Sequence, residues 1–216
     1  MEFDKQFAEE YINSLLKKYR IKVCSWSRTS CGYAEWKSKR IKIPKPTDVD
    51  RFGVCLHEIK HILDGNKGKR FEQEFYCDLY ALNIIKEFEY DHVQWEERMR
   101  WHSLSRIAMA SNRGLSLDKI KPEIKEFFKE IDFSLWSNNN VFVHSNRENK
   151  LGYAIEYIIK LPKEEIIMLL NRKGMWLERS QRDDSTYGKW IVKSNGNAYG
   201  TEFDNLPSIV SHYELA

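Results

Sequence analysis

The chain has 216 residues, 42% of them hydrophobic and 31% charged, enough for one sizeable domain or two small ones with a real core. Its 35 basic and 32 acidic side chains leave a net charge of +3, too mild an excess to argue for nucleic acid or a membrane surface as partner. No apolar run approaches the roughly 18 residues of a membrane span, and the acidic, amphipathic N-terminus is unlike a signal peptide. Cys24, Cys31, Cys55 and Cys77 have no CxxC spacing, so free thiols in a reducing cytoplasm are expected.

Phe7, Ala8, Tyr11, Ile12, Leu15, Leu16 and Tyr19 recur at helical spacing, predicting an amphipathic helix over 3–20. Three short alternating stretches follow at 21–27, 32–37 and 39–46, separated by Gly and Ser and read as strands. Pro44 and Pro46 mark the last of them as an edge or terminal strand. Thr47 then offers a helix cap, with Asp50 completing a capping box. A helix is predicted over 48–64 with Gly65 as its stop, then helices over 70–88, 93–111 and 122–131, the last opening on Pro122. Residues 134–149 are polar and Asn-rich and read as a linker or long loop. Beyond it come a strand, a helix and two or three further strands. The expected fold class is α+β. Residues 1–133 form a domain of helices plus a small antiparallel sheet with a helical middle segment, and 150–216 form a small α+β accessory domain.

The chemistry concentrates in "FGVCLHEIKHILDG", residues 52–65. Residues four apart lie on one face of a helix, so His57 and His61 point the same way, at the border of an apolar stripe of Phe52, Cys55, Leu56, Ile59 and Leu63. Two imidazoles so placed suit a zinc ion, and Glu58 beside them can accept a proton from water as a general base. A catalytic zinc site needs a third protein ligand. Glu74 on the next helix is the candidate, with Asp78 one turn later holding a ligand imidazole. The competing reading is an amphipathic helix with solvated polar residues and an acidic surface behind it.

"LHEIKHILDG" followed by "EFYCDLYALNII" resembles the ImmA/IrrE-type zinc metallopeptidases. Their second helix has the form Glu-x-x-(small)-(Asn/Asp)-x-(aromatic)-Ala, matched by Glu74, Cys77, Asp78, Tyr80 and Ala81. The likeness covers roughly residues 1–90. It implies a zincin-like domain in which His57, His61 and Glu74 bind Zn2+ and Glu58 is the catalytic base. It further implies an endopeptidase that cleaves a regulatory protein such as a transcriptional repressor, in phage, mobile-element or stress regulation. An extended substrate would pair with the edge strand, here "KRIKI". The chain departs from many relatives at Lys60, where they have Gly, and at Cys77, where they have Ala. Lys60 is long enough to crowd the cleft, and Cys77 could be a packing thiol or a fourth group near the metal. No residue stands out as oxyanion stabiliser; Tyr76, Tyr80, His92 and His102 are the candidates.

The alternative of another class is a zinc-stabilised protein-binding module that does not cut its partner. A DNA-binding regulator is weaker, because Pro122 would fall inside the recognition helix of the helix-turn-helix-like stretch around Ala110, Gly114 and Ile120. Near the C-terminus, a helix followed by "GMWLERS" and by a last helix ending in His-Tyr is similar to an SH2 layout, with Arg179 as the phosphate-binding residue, although the strands between the helices look too few. The other reading is a small α+β domain with Trp176, Trp190 and Ile191 in its core.

Overall fold

The computed structural model describes residues 2–65, 68–145, 152–180 and 189–215. Among these are seven α-helices and eight strands, an α+β fold, and no helix is long and apolar enough to cross a membrane. The chain divides into two compact units, one of residues 1–110 with 143–155 and one of 111–142 with 156–216.

In the first unit, helix α1 (Lys5–Tyr19) starts where the Asp4 carboxylate accepts the Phe7 N–H at 3.0 Å, and it buries Ala8, Ile12, Leu15 and Leu16. Phe3, Phe7 and Tyr11 meet Phe52, Phe88 and Tyr90 in an aromatic cluster, with Phe3–Tyr90 and Tyr11–Phe88 centroids both 5.0 Å apart. Such edge and tilted pairs each add about 0.5–1.5 kcal/mol beyond area burial. The cluster fastens α1 to helix α2 (Val49–Asp64) and to the end of helix α3 (Arg70–Glu87).

Strands β1 (Lys22–Ser27), β2 (Tyr33–Glu35) and β3 (Arg40–Pro44) form one sheet in the order β1-β3-β2. β1 runs parallel to β3 and β2 antiparallel to it, so the sheet is mixed. β3 is therefore the central strand, which corrects the expectation that "KRIKI" is an edge. Pro44 is the last residue of the strand, where a missing N–H removes one bond at the end of the ladder and leaves both flanks pairable. Ile41 and Ile43 alternate onto one face and are fully buried, as a central strand requires. The edge is β2.

Helix α2 is capped by Asp48, not Thr47: Asp48 Oδ1 accepts the Arg51 N–H at 2.8 Å. Thr47 Oγ1 instead donates to the Asp48 carboxylate and accepts from Arg51. A carboxylate is the better acceptor at the positive end of a helix. Gly65 ends α2 with φ of 65°, a conformation that favours glycine. Phe52, Leu56 and Ile59 on α2 are fully buried, each worth about 1.5–3 kcal/mol over exposure. Helix α4 (Val93–Asn112) lays Trp95 against Gly53 of α2 so closely that a Cβ at residue 53 would overlap the indole ring.

In the second unit, helix α5 (Pro122–Phe127) is shorter than the predicted 122–131, because Phe128 leaves helical geometry as its ring is buried. The segment read as a linker, 134–149, holds part of a 3₁₀ turn (Phe133–Trp136) and strand β4 (Asn139–Ser145), with 146–149 outside the described residues. Its polar composition masks two anchors. Trp136 is fully buried, and the Asn112 side chain both donates to and accepts from the Val141 backbone at 2.9 Å. β4 pairs with β5 (Tyr153–Ile159), and of these strands Val143–Ser145 and Tyr153–Ile155 are counted with the first unit. Helix α6 (Lys163–Arg172) and helix α7 (Leu206–His212) accompany an antiparallel sheet β6-β7-β8 made of Met175–Arg179, Trp190–Ser194 and Asn197–Phe203. Ile166, Leu170, Val192, Phe203, Ile209 and Val210 are its core. Ile191 is buried as expected, but Trp176 is 37% exposed on the outer face of β6, where alternation puts it opposite Met175 and Leu177.

Candidate metal centre and cleft

Helices α2 and α3 lie side by side, and their facing polar positions converge. His57 Nε2 and His61 Nε2 are 3.0 Å apart, and Glu74 Oε2 is 3.4 Å from the first and 3.5 Å from the second. These three side chains form a group able to hold a metal ion, and Glu74 and His57 are buried. Helical spacing accounts for the histidine pair, and the α2–α3 contact brings in the glutamate.

Asp78 is one turn beyond Glu74, buried, and bonded to two imidazoles. Its Oδ1 accepts from His57 Nδ1 at 2.6 Å and its Oδ2 from His102 Nδ1 at 2.9 Å. The first bond leaves His57 Nε2 aimed at the metal group. The second is fixed by a neighbour: Arg106 Nε–H donates toward His102 Nε2 at 3.4 Å, so Nδ1 carries the His102 proton. Burial pushes the Asp78 pKa up, but the two imidazoles outweigh it and hold the carboxyl below the usual range. Glu74 behaves alike: burial raises its pKa, and bonds to His57 and His61 bring it well below the carboxylate range. Arg70 supports its other oxygen, with Nε 3.4 Å from Oε1.

Glu58 is buried beside the group, and burial is the main cause of its raised pKa, partly offset by His57 and His61. Its side chain lies over Gly32, where a Cβ would overlap the Glu58 Cγ and carboxylate. All of these residues line a cleft of about 650 Å³, walled by Gly32, Tyr33 and Ala34 of the β2 edge, by Trp36, and by Trp95, Trp101, His102 and Arg106 of α4.

No known protein family, curated protein or solved structure matches this chain.

The structure thus gathers His57, Glu58, His61, Glu74 and Asp78 in one place. Lys60 turns away from the cleft, paired with Asp64 at 2.7 Å and lying over the Tyr80 ring at 5.4 Å. Cys77 is fully buried, its thiol pKa pushed far up by burial, and it does not line the cleft, which makes it a packing thiol. Of the four oxyanion candidates only His102 lines the cleft; Tyr80 carries Lys60, Tyr76 meets Phe75 edge-on and His92 faces Glu96. Gly32 and Arg106 are cleft residues that periodicity did not reveal, because each reaches the site only through the packing of β2 or α4 on α2.

Proposed function

We propose that the first unit is a zincin-type, zinc-dependent peptidase that acts in the cytoplasm on a regulatory protein, such as a transcriptional repressor. The observation that carries this reading is the spacing of the three donor atoms. Tetrahedral zinc with bonds of about 2.0–2.1 Å sets its ligands about 3.3 Å apart, and the separations here are 3.0, 3.4 and 3.5 Å. His57, His61 and Glu74 would hold the ion, the three protein ligands that a catalytic zinc site needs. When bound, zinc supplies a Lewis acid that polarises the scissile carbonyl and acidifies water. Glu58 takes the proton of the attacking water on its carboxylate and returns it to the leaving amine. Asp78 keeps His57 in the tautomer that leaves Nε2 free. The open edge of β2 offers its backbone to an extended substrate by strand addition.

Elemental analysis tests the reading: the purified protein carries about one zinc per chain, and His61→Ala and Glu74→Ala each lose it. A wild type that neither carries nor takes up zinc ends the proposal. Uptake is also pH-dependent. Burial lowers the His57 pKa, but Asp78 and Glu74 outweigh it and raise it to about 10 in the metal-free site. At pH 7 zinc displaces that proton, so affinity climbs as pH rises toward 10. Stability of the metal-free protein runs the other way. The raised pKa stabilises fully below the unfolded value of about 6.5, and the contribution is lost as pH rises through about 10. Zinc titrations and thermal melts at pH 6, 7, 8 and 9 read both trends.

A specific observation favours a second role for the second unit, recognition of a phosphorylated ligand. Among the described residues three strands, β6 to β8, stand between α6 and α7, where the SH2-like likeness had too few. Arg179 at the end of β6 and Lys163 at the start of α6 both lie over the Trp190 ring, 4.5 and 5.2 Å from its centroid. Two cations held on one aromatic plate suit a phosphorylated ring. Titration with phenyl phosphate quenches tryptophan fluorescence in the wild type, and Arg179→Ala weakens binding about tenfold or more. Equal response in both proteins removes this role.

A further inference from the structure

Among the described residues three arginines line the cleft, and two are committed. Arg98 donates to Asp50 at 2.6 Å and to the Ser30 carbonyl at 3.1 Å, with its guanidinium over Trp95. Arg70 braces Glu74. Arg106 differs. It is half-buried in the cleft wall, and its one bond among the described residues is the long Nε contact to His102. Its two terminal amino groups have no partner there, and no carboxylate among the described residues pairs with it. The cleft carboxylates are otherwise engaged: Glu74 belongs to the metal group, Asp78 to two imidazoles, and Glu58 lies against Gly32. A guanidinium is always charged, and leaving one half-buried without an anion is costly. A planar fork with both tips free fits a carboxylate in bidentate fashion.

The position is informative as well. Arg106 Nε is 3.4 Å from His102 Nε2, which is 4.0 Å from Glu74 Oε2, so the fork stands within one residue's reach of the metal group. Neither Tyr33 nor Trp36 across the cleft brings a competing charge. From this geometry we infer that Arg106 selects peptides carrying a carboxylate next to the scissile bond. The carboxylate is either an acidic side chain or the end of the chain. The inference rests on the peptidase reading and names its substrate class.

Three probes of matched size separate the possibilities: HONH–CO–CH₂–CO–Glu–NH₂, the same compound with Gln, and the Gln compound ending in a free carboxylate. The hydroxamate seeks the metal in each, and affinity is measured on the zinc-loaded full chain. The expected result is that at least one carboxylate probe binds about tenfold or more tighter than the uncharged Gln amide. Gain with the Glu probe assigns an acidic side chain, and gain with the free terminus assigns a chain end. Arg106→Gln brings that ratio to about one, and Arg106→Lys, which keeps the charge without the fork, retains part of it. Zinc content reports whether each variant is intact. Equal affinities of all three probes for the wild type, or a preference that survives in Arg106→Gln, overturns the inference while leaving the metal centre standing. If no hydroxamate binds the zinc-loaded protein, the peptidase reading falls and the inference with it.

Discussion

Glu58→Gln lowers peptide hydrolysis by the zinc-loaded protein about 10²–10⁴-fold in kcat and leaves its zinc in place, the range expected for loss of a positioned general base. The amide keeps the shape of the carboxylate, so packing against Gly32 is conserved, and it removes the basic oxygen. Glu58 makes none of the close contacts within the His57, His61 and Glu74 group, which is why the metal survives the change. Burial raises the pKa of Glu58, and a carboxylate so raised is the stronger base near neutral pH. Gly32→Ala is the companion variant. Its methyl group would occupy the space of the Glu58 side chain, so activity falls while zinc content holds. Turnover of a peptide library, measured beside metal content, reads both. Undiminished function in Glu58→Gln would favour a zinc-stabilised binding module that recognises its partner without cutting it.

The largest effect on stability is expected at Trp95. Trp95→Ala destabilises the protein by about 3–5 kcal/mol, seen as a lower denaturation midpoint. The ring is only 2% exposed and fills the space over Gly53, and its Nε1–H donates to the Asp78 carbonyl at 3.3 Å. Truncation therefore opens a cavity between α2 and α4 and removes a second hydrogen bond to the Asp78 carbonyl, which lies inside the helix that carries Glu74. Gly53→Ala probes the same contact from the other side. Alanine improves helix propensity by up to about 1 kcal/mol, but overpacking against a rigid indole costs about 1–3 kcal/mol. The variant is less stable, with the sign set by the ring. A Gly53→Ala protein as stable as wild type would mean that the α2–α4 contact has slack.

Short-range pattern carried much of the fold and of the site. The four-residue spacing of His57 and His61, and that of Glu74 and Asp78, is a property of one helix each, so any helical chain displays those pairs on single faces. The extents of α2, α3 and α4 were legible for the same reason, since apolar periodicity and a terminal glycine act within a few residues. The cap of α2 was misplaced by one residue because Thr47 and Asp48 are both good caps, and only backbone geometry chooses between them.

What remained was decided by contacts between elements. A proline at the end of β3 says that one donor is missing, not how many strands lie alongside, and the mixed order β1-β3-β2 follows from which strand buries Ile41 and Ile43. His102 and Arg106 look like ordinary polar residues on a long helix until Trp95, set against Gly53, brings that helix over the site. The amino-acid sequence by itself determined which side chains share a helix face. The tertiary structure decided which faces meet, because burial of Trp95, Phe52 and their neighbours depends on shapes matched across long stretches of chain that no local spacing records.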